Sequence, residues 1–161
     1  MTDSLKLERG TPGQASAIRD LTLRAYAKWV PVTQRKPRPM TADYDVALRE
    51  HRFDCLWEGT RLVGLIETVP EGEALLIVNV AVDPDCQGTG LGVRLMRHAE
   101  AIAGEAGLSG TRLYTNKLMA ANIALYTALG YAFEKETVHD HGVVAVHMTR
   151  PIDLAAHNPF G

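Results

Sequence analysis

Glycines recur at positions 88, 90 and 92 in Gln87-Gly-Thr-Gly-Leu-Gly92, between an almost continuously apolar run over 75–82 and apolar residues at helical spacing that begin at Leu91. A strand, a glycine loop and a helix start in that order make a cradle for an anion. Glycine lets backbone N–H groups come close to a phosphate, and the unpaired N–H groups and dipole of the helix start favour negative charge. The chemistry implied is a phosphorylated cofactor held by backbone, although the same spacing also suits a turn that only joins strand to helix. The dinucleotide fingerprint G-x-G-x-x-G would need its third glycine at 93, where the chain has Val93, and there is no G-x-x-x-x-G-K-[ST] phosphate loop.

Asn122 and Tyr126 lie four residues apart on an expected helix over 118–129, which puts them one turn apart on one face. Leu118, Ala121, Leu125 and Leu129 form a separate apolar stripe, expected to face the core. Cys86 borders the glycine loop, but no His/Asp arrangement around it reads as an activated nucleophile. His139 and His141 flank a turn without an assignable third ligand, and His51, His98, His147 and His157 give no further cluster, so no metal is expected.

These residues need a scaffold. A chain of 161 residues with 46% hydrophobic content fits one domain with a sizeable core, here 1–150, followed by a tail over 151–161. Seventeen Lys+Arg against nineteen Asp+Glu gives a net charge of −2, which lacks the basic field that drives nucleic-acid binding. No run approaches the roughly 20 apolar residues of a membrane span, no secretory signal is visible, and only two cysteines occur; the expectation is a cytoplasmic protein that binds neither nucleic acid nor membrane.

Leu5–Arg9 alternates as a first strand. Ile18, Leu21, Ala25 and Trp29 mark a helix over 13–28, stopped by Pro31. Residues 30–40, with three prolines and the cluster Arg35-Lys36-Pro37-Arg38, read as an irregular surface segment, and Thr41 as the N-cap of a short helix reaching His51. Apolar runs over 53–58, 62–69 and 75–82 make a meander, the last buried on both faces with Asn79 its only polar side chain. After the helix from Leu91, with Gly107 as its stop, come a strand over 111–116, the helix of Tyr126, and strands over 131–138 and 143–149. The fold class is α/β (α+β): a mixed sheet with helices on its faces.

Gln87-x-x-Gly90-x-Gly92 resembles the Q/R-x-x-G-x-G/A signature of the GNAT superfamily, the acetyl-CoA-dependent N-acyltransferases, and Asn122-x-x-x-Tyr126-x-x-Leu129-Gly130-Tyr131 is similar to its N…Y-x-x-L-G-F/Y segment. Both stand in the right order, about 30 residues apart. The resemblance implies a mostly antiparallel sheet of about seven strands and about four helices, splayed at the strand before the loop. It implies acetyl-CoA as donor, its pantetheine arm paired with the main chain of Val80 and Val82. Its pyrophosphate would lie on the N–H groups of Gln87, Gly88, Thr89, Gly90, Leu91 and Gly92, and Tyr126 would protonate the departing thiolate. In the family the asparagine commonly lies seven residues before the tyrosine, here Met119; Asn122 is carried as the cofactor contact, with Asn116 a weaker candidate.

An amine of lysine type, with a pKa near 10.4, must lose a proton before attack. The family's common strand glutamate falls on Val78, so Glu67, on the neighbouring strand, is the leading candidate base, with a water chain to bulk as the alternative. The resemblance places the acceptor opposite the CoA, against Tyr26, Trp29, Pro31, Met40 and Tyr44, with Asn79 orienting it; these aromatics also suit a core. Arg35, Lys36 and Arg38 suit either an acidic acceptor or a solvated loop.

The reading is an N-acetyltransferase acting by direct transfer in a ternary complex on a small-molecule or peptide amine. Its closing hairpin leaves an exposed sheet edge that suits pairing in a homodimer. A non-catalytic acyl-CoA-binding sensor is the alternative, given Val78 where the glutamate would stand. A Rossmann-type module conflicts with Val93 and with the meander.

Overall fold

The computed structural model describes residues 4–152. β1 (Leu5–Arg9), β2 (Arg52–Glu58), β3 (Arg61–Glu71) and β4 (Ala74–Val82) pair antiparallel in sequence order. β5 (Gly110–Asn116) joins β4 in parallel, and β7 (Val144–Pro151) lies between β5 and the edge strand β6 (Ala132–Val138). The result is the mixed, mostly antiparallel seven-stranded sheet that the strand pattern calls for, in the order β1-β2-β3-β4-β5-β7-β6.

Helices cover both faces because each carries one apolar stripe. On one face, α1 (Ala15–Tyr26) and α3 (Tyr44–Glu50) bring Ile18, Leu21, Tyr44 and Ala47 onto Phe53, Cys55, Leu65 and Ala81. On the other, α4 (Leu91–Glu105) lays Leu95, Met96, Ala99 and Ala103 over Ile66, Leu75, Ile77 and Leu113. Gly107, at φ +72°, ends α4 as its composition suggests.

A bulge in β4 does the most to shape the site. Glu67 pairs with Asn79 but Thr68 pairs with Ile77, so Val78 has no partner. Leu75 and Ile77 face α4, while Asn79, two residues on, faces α1. Pairing between β4 and β5 covers only Ala74–Leu76 against Gly110–Arg112, and beyond it the two strands diverge.

Four local expectations are corrected. The cap of α3 is Asp43, whose Oδ1 accepts from the N–H groups of Asp45 at 3.0 Å and Val46 at 3.3 Å, so the helix starts at Tyr44 instead of directly after Thr41. α5 (Ala120–Ala128) begins later than 118 because Asn116 Oδ1 captures the Leu118 N–H at 2.9 Å and holds that segment in a turn. Its inner face is also not the expected stripe. Leu118 and Leu125 are 58% and 42% exposed, whereas Tyr126 and Leu129 are buried beside Tyr131. Two apolar faces compete on this helix, and the aromatic contact with Tyr131 decides between them. The single turn α2 (Val30–Thr33) interrupts the segment expected to be irregular. The tail reading over 153–161 lies outside the described residues.

Candidate active site

Where β4 leaves β5 a cavity of about 990 Å3 opens, floored by Val78, Asn79 and Val80 and walled on the far side by Leu113, Asn122 and Tyr126. Its near wall comes from α1, α3, β3 and the strap 33–39. Thr33 Oγ1 donates to the carbonyls of Trp29 at 3.0 Å and Arg35 at 2.6 Å, and Pro39 O accepts from Tyr44 Oη at 2.6 Å. The strap is thus tied at both ends.

Asn79 is the hub of the near wall. It is 2% exposed; its Oδ1 accepts from Tyr26 Oη at 2.9 Å, and its Nδ2 donates to Tyr44 Oη at 3.3 Å and Thr22 Oγ1 at 3.4 Å. Tyr26 Oη also reaches the Val80 carbonyl at 3.2 Å. Burial pushes the Tyr44 phenol up to about 12 and the Tyr26 phenol well above its ordinary value, so both stay neutral donors. Asn79 comes to face this group through the bulge at Val78.

Glu67, 4% exposed, sits opposite Asn79 in the ladder, and its Oε2 lies 2.6 Å from Nδ1 of His51. Burial raises its carboxyl, and the bond and charge of His51 pull partly the other way. His51, read from sequence as outside any cluster, therefore belongs to the site. The two residues are 16 apart in sequence, and only the β2–β3 hairpin brings them together, so no motif signals the pair.

Tyr126 lines the far wall, 8% exposed, its phenol pushed up to about 12 by burial and by nearby Tyr131. Its hydroxyl makes no hydrogen bond among the described residues. Asn122 borders the cavity one turn earlier, as its spacing predicts.

At the end of β4 the glycine loop is held from beneath. Asp83, fully buried, accepts from Arg24 at 2.8 Å and from the Asp85 N–H at 2.9 Å, and pairs with Arg61 at 3.1 Å. Burial alone would raise its carboxyl, but these donors outweigh it and hold the group below the usual carboxylate range. Gly88 and Gly90 have φ of +81° and +86°, a region that favours glycine, and a Cβ at either would meet nothing within 4 Å. The loop therefore leaves open backbone for a pyrophosphate at the start of a 15-residue helix, which is what a CoA-type ligand requires. Lys28 Nζ reaches Gln87 Oε1 at 3.0 Å and is a cation at this rim that the motif did not single out. Burial raises the Cys86 thiol.

Val80 and Val82 stand on the diverging part of β4, as the resemblance implies, although the Val80 carbonyl already accepts from Tyr26. Three expected acceptor contacts, Trp29, Pro31 and Met40, do not line the cavity. Trp29 lies on the turn after α1 with Lys28 Nζ 5.5 Å from its ring centroid, and Met40 borders a separate hollow with Pro12 and Ser16. His139 bonds Thr137 at 2.9 Å. Among the described residues no group of three or more His, Cys, Asp or Glu could hold a metal, and no helix is long and apolar enough to cross a membrane.

Comparison with curated proteins finds no match. Solved structures share the fold. The ribosomal-protein-S18-alanine N-acetyltransferase of Escherichia coli superposes with a TM-score of 0.70 at 21% identity, over 93% of this chain and 95% of that one. The PaiA N-acetyltransferase of Thermoplasma acidophilum, in complex with coenzyme A, gives 0.71 at 14% over 89% and 98%. The IAA acetyltransferase of Bacillus cereus gives 0.67 at 18% over 92% and 100%. The model of the acetyltransferase (GNAT) family matches residues 16–131 of the 161, well over half the sequence, and with the splayed sheet and glycine loop in place the chain belongs to the GNAT acetyltransferase family.

Proposed function

We propose that this acetyltransferase takes acetyl-CoA as donor and moves the acetyl group directly to a primary amine bound in the same cavity. The observation that carries this reading is the single cleft between β4 and β5, with open glycine backbone beyond one end and a buried carboxylate in the opposite wall. Acetyl-CoA supplies a thioester, whose carbonyl carbon is open to amine attack. The N–H groups from Gln87 to Gly92 hold the pyrophosphate, and the unpaired edge of β4 over Val80 and Val82 receives the pantetheine amides. Asn79 and the strap bound the acceptor, and the Glu67–His51 pair as a unit receives a proton. The raised Cys86 thiol favours direct transfer over an acyl-enzyme.

The phenol value of about 12 refines the part of Tyr126. Full proton transfer to a thiolate of reference pKa about 8.5 would run uphill by roughly 5 kcal/mol, so Tyr126 acts as a hydrogen-bond donor to the departing sulfur and keeps its proton. Tyr126→Phe is expected to lower kcat about tenfold while acetyl-CoA affinity stays within about twofold; an unchanged kcat, with chemistry shown to be limiting, removes the role.

Thermal unfolding with acetyl-CoA, CoA, NADH and ATP added separately tests the donor. At 100 times its dissociation constant a ligand stabilises by about 2.7 kcal/mol, a shift of a few degrees. A shift with the two CoA species alone, followed by thiol release in a screen of monoamines, polyamines, amino acids and alanyl peptides, supports the reading. No CoA binding by shift or by calorimetry defeats it, and binding without thiol release leaves a sensor.

A further inference from the structure

Within the pair in the near wall the two partners are not equivalent. Glu67 projects from the middle of β3 into a closed setting and is 4% exposed, while the His51 side chain keeps 27% of its surface accessible. The His51 backbone is fixed by its N–H bond to Ala47 O at 2.8 Å at the end of α3. An ionised carboxylate can only accept, so the ring nitrogen facing it, Nδ1 at 2.6 Å, donates. A neutral imidazole that donates through Nδ1 is bare at Nε2. Nε2 has no hydrogen-bond partner among the described residues, and His51 lines the cavity.

We propose that the Nε2 atom of His51 is the proton acceptor for the attacking amine and that Glu67 is a positioning residue, fixing the ring and its tautomer through the 2.6 Å bond between Oε2 and Nδ1. The proposal rests on the acetyl-transfer reading above. The carboxylate is 4% exposed and tied to the ring, whereas Nε2 is the bare lone pair of a partly exposed ring that lines the cavity, which makes the ring the acceptor that an ammonium proton can reach. The ammonium gives one proton to Nε2, and the ring becomes an imidazolium facing Glu67. The freed nitrogen lone pair forms the C–N bond and the C–S bond breaks, its electron pair leaving on sulfur. The second nitrogen proton, released as the amide forms, ends on that sulfur as CoA thiol, and the imidazolium returns its proton to solvent from its accessible edge. The nitrogen that the carboxylate does not hold is thus the one that reacts, a base oriented by a third group. The charged and titratable groups around the pair are Tyr26 and Tyr44, whose phenols are raised mainly by burial and further by the Glu67 charge, Glu50 beside His51, and Arg35, Lys36 and Arg38 on the strap that lines the same cavity.

The test uses the full chain, acetyl-CoA and whichever amine of the screen releases thiol fastest, with acetyl-CoA affinity measured calorimetrically on every variant. His51→Ala and His51→Gln are expected to lose about a hundredfold in kcat with acetyl-CoA affinity within about twofold, and added imidazole to restore part of the rate of His51→Ala. Glu67→Gln, which still offers an acceptor oxygen to Nδ1–H, is expected to lose about tenfold and to keep the Nδ1–H tautomer in ring nitrogen-15 spectra; Glu67→Ala is expected to lose that tautomer. A His51→Gln variant that keeps more than about a third of wild-type kcat, or a Glu67→Gln variant hit harder than His51→Gln, overturns the assignment and moves the base to the carboxylate. Wild type that binds acetyl-CoA and shows the tautomer, yet releases thiol with no amine, brings down the transfer reading and this role together.

Discussion

The two ends of the cleft are built from different materials. The end proposed for the donor is backbone: two glycines in the left-handed region, a helix start, and a strand edge that β5 leaves unpaired. The end proposed for the acceptor is side chain: Tyr26, Tyr44 and Asn79 in one hydrogen-bonded group and His51 with Glu67 in another, drawn from α1, from α3 and the residue after it, and from two strands. Backbone recognition is shared by any sequence that folds this way, so the donor end can be common to a family. Side-chain recognition depends on which residues one sequence places there, so Tyr26, Tyr44, His51, Glu67 and Asn79 are where specificity of this chain would be set.

That contrast can be broken from either side. Replacing the hub, Asn79→Leu, takes from the hydroxyls of Tyr26, Tyr44 and Thr22 the partner they share and leaves each only a backbone carbonyl, at Val80, Pro39 and Ile18, which is expected to cost about 2 kcal/mol. Urea unfolding should show that loss, and the amine KM should rise while acetyl-CoA affinity is retained; equal damage to both affinities would mean the two ends are not separable. Gly90→Val forces a β-branched residue to a φ of +86° where the helix begins. The strain is about 1–2 kcal/mol and the new side chain crowds the loop, so acetyl-CoA binding should fall by roughly tenfold to a hundredfold with the amine side intact, as calorimetry and KM values will show. The smallest effect is expected beneath the loop. Because the Asp83 carboxyl lies below its ordinary range when folded, its contribution to stability is complete above the unfolded carboxylate pKa of about 3.9 and is lost as pH falls through the folded value. Asp83→Asn is expected to remove about 1 kcal/mol at neutral pH, and the gap between variant and wild type in urea should narrow as the pH falls below the ordinary carboxylate range. A gap that widens with acid would reverse the sign of that contribution.

The same division decides what could be read from the sequence. Glycine spacing encodes the donor end because a positive φ demands the residue, and alternating apolar runs encode the strands because burial demands them. Tyr126 and Asn122 were legible as a pair one turn apart, but the face of α5 was not, since Leu118 and Leu125 compete with Tyr126 and Leu129 on apolar character alone. His51 was invisible because its partner is fixed by the register of a hairpin, which is a property of the folded sheet. Trp29 and Met40 were drawn in by their type, and a turn after α1 and a separate hollow take them elsewhere. Lys28 carried no signal either, as its meeting with Gln87 spans 59 positions.

The unpaired residue in β4 also bears on the two layers of the molecule. Removing Val78 on paper leaves Leu75, Ile77, Asn79, Val80 and Ala81 each on the face it occupies now, because the bulge is one surplus residue in an otherwise alternating strand. What disappears is the bulge, which lies just past Leu76, the last residue of β4 paired with β5. One surplus residue thus lets a single strand serve both layers of the molecule, handing its odd-numbered side chains from the α4 face at Ile77 to the α1 face at Asn79 while alternation is kept on either side.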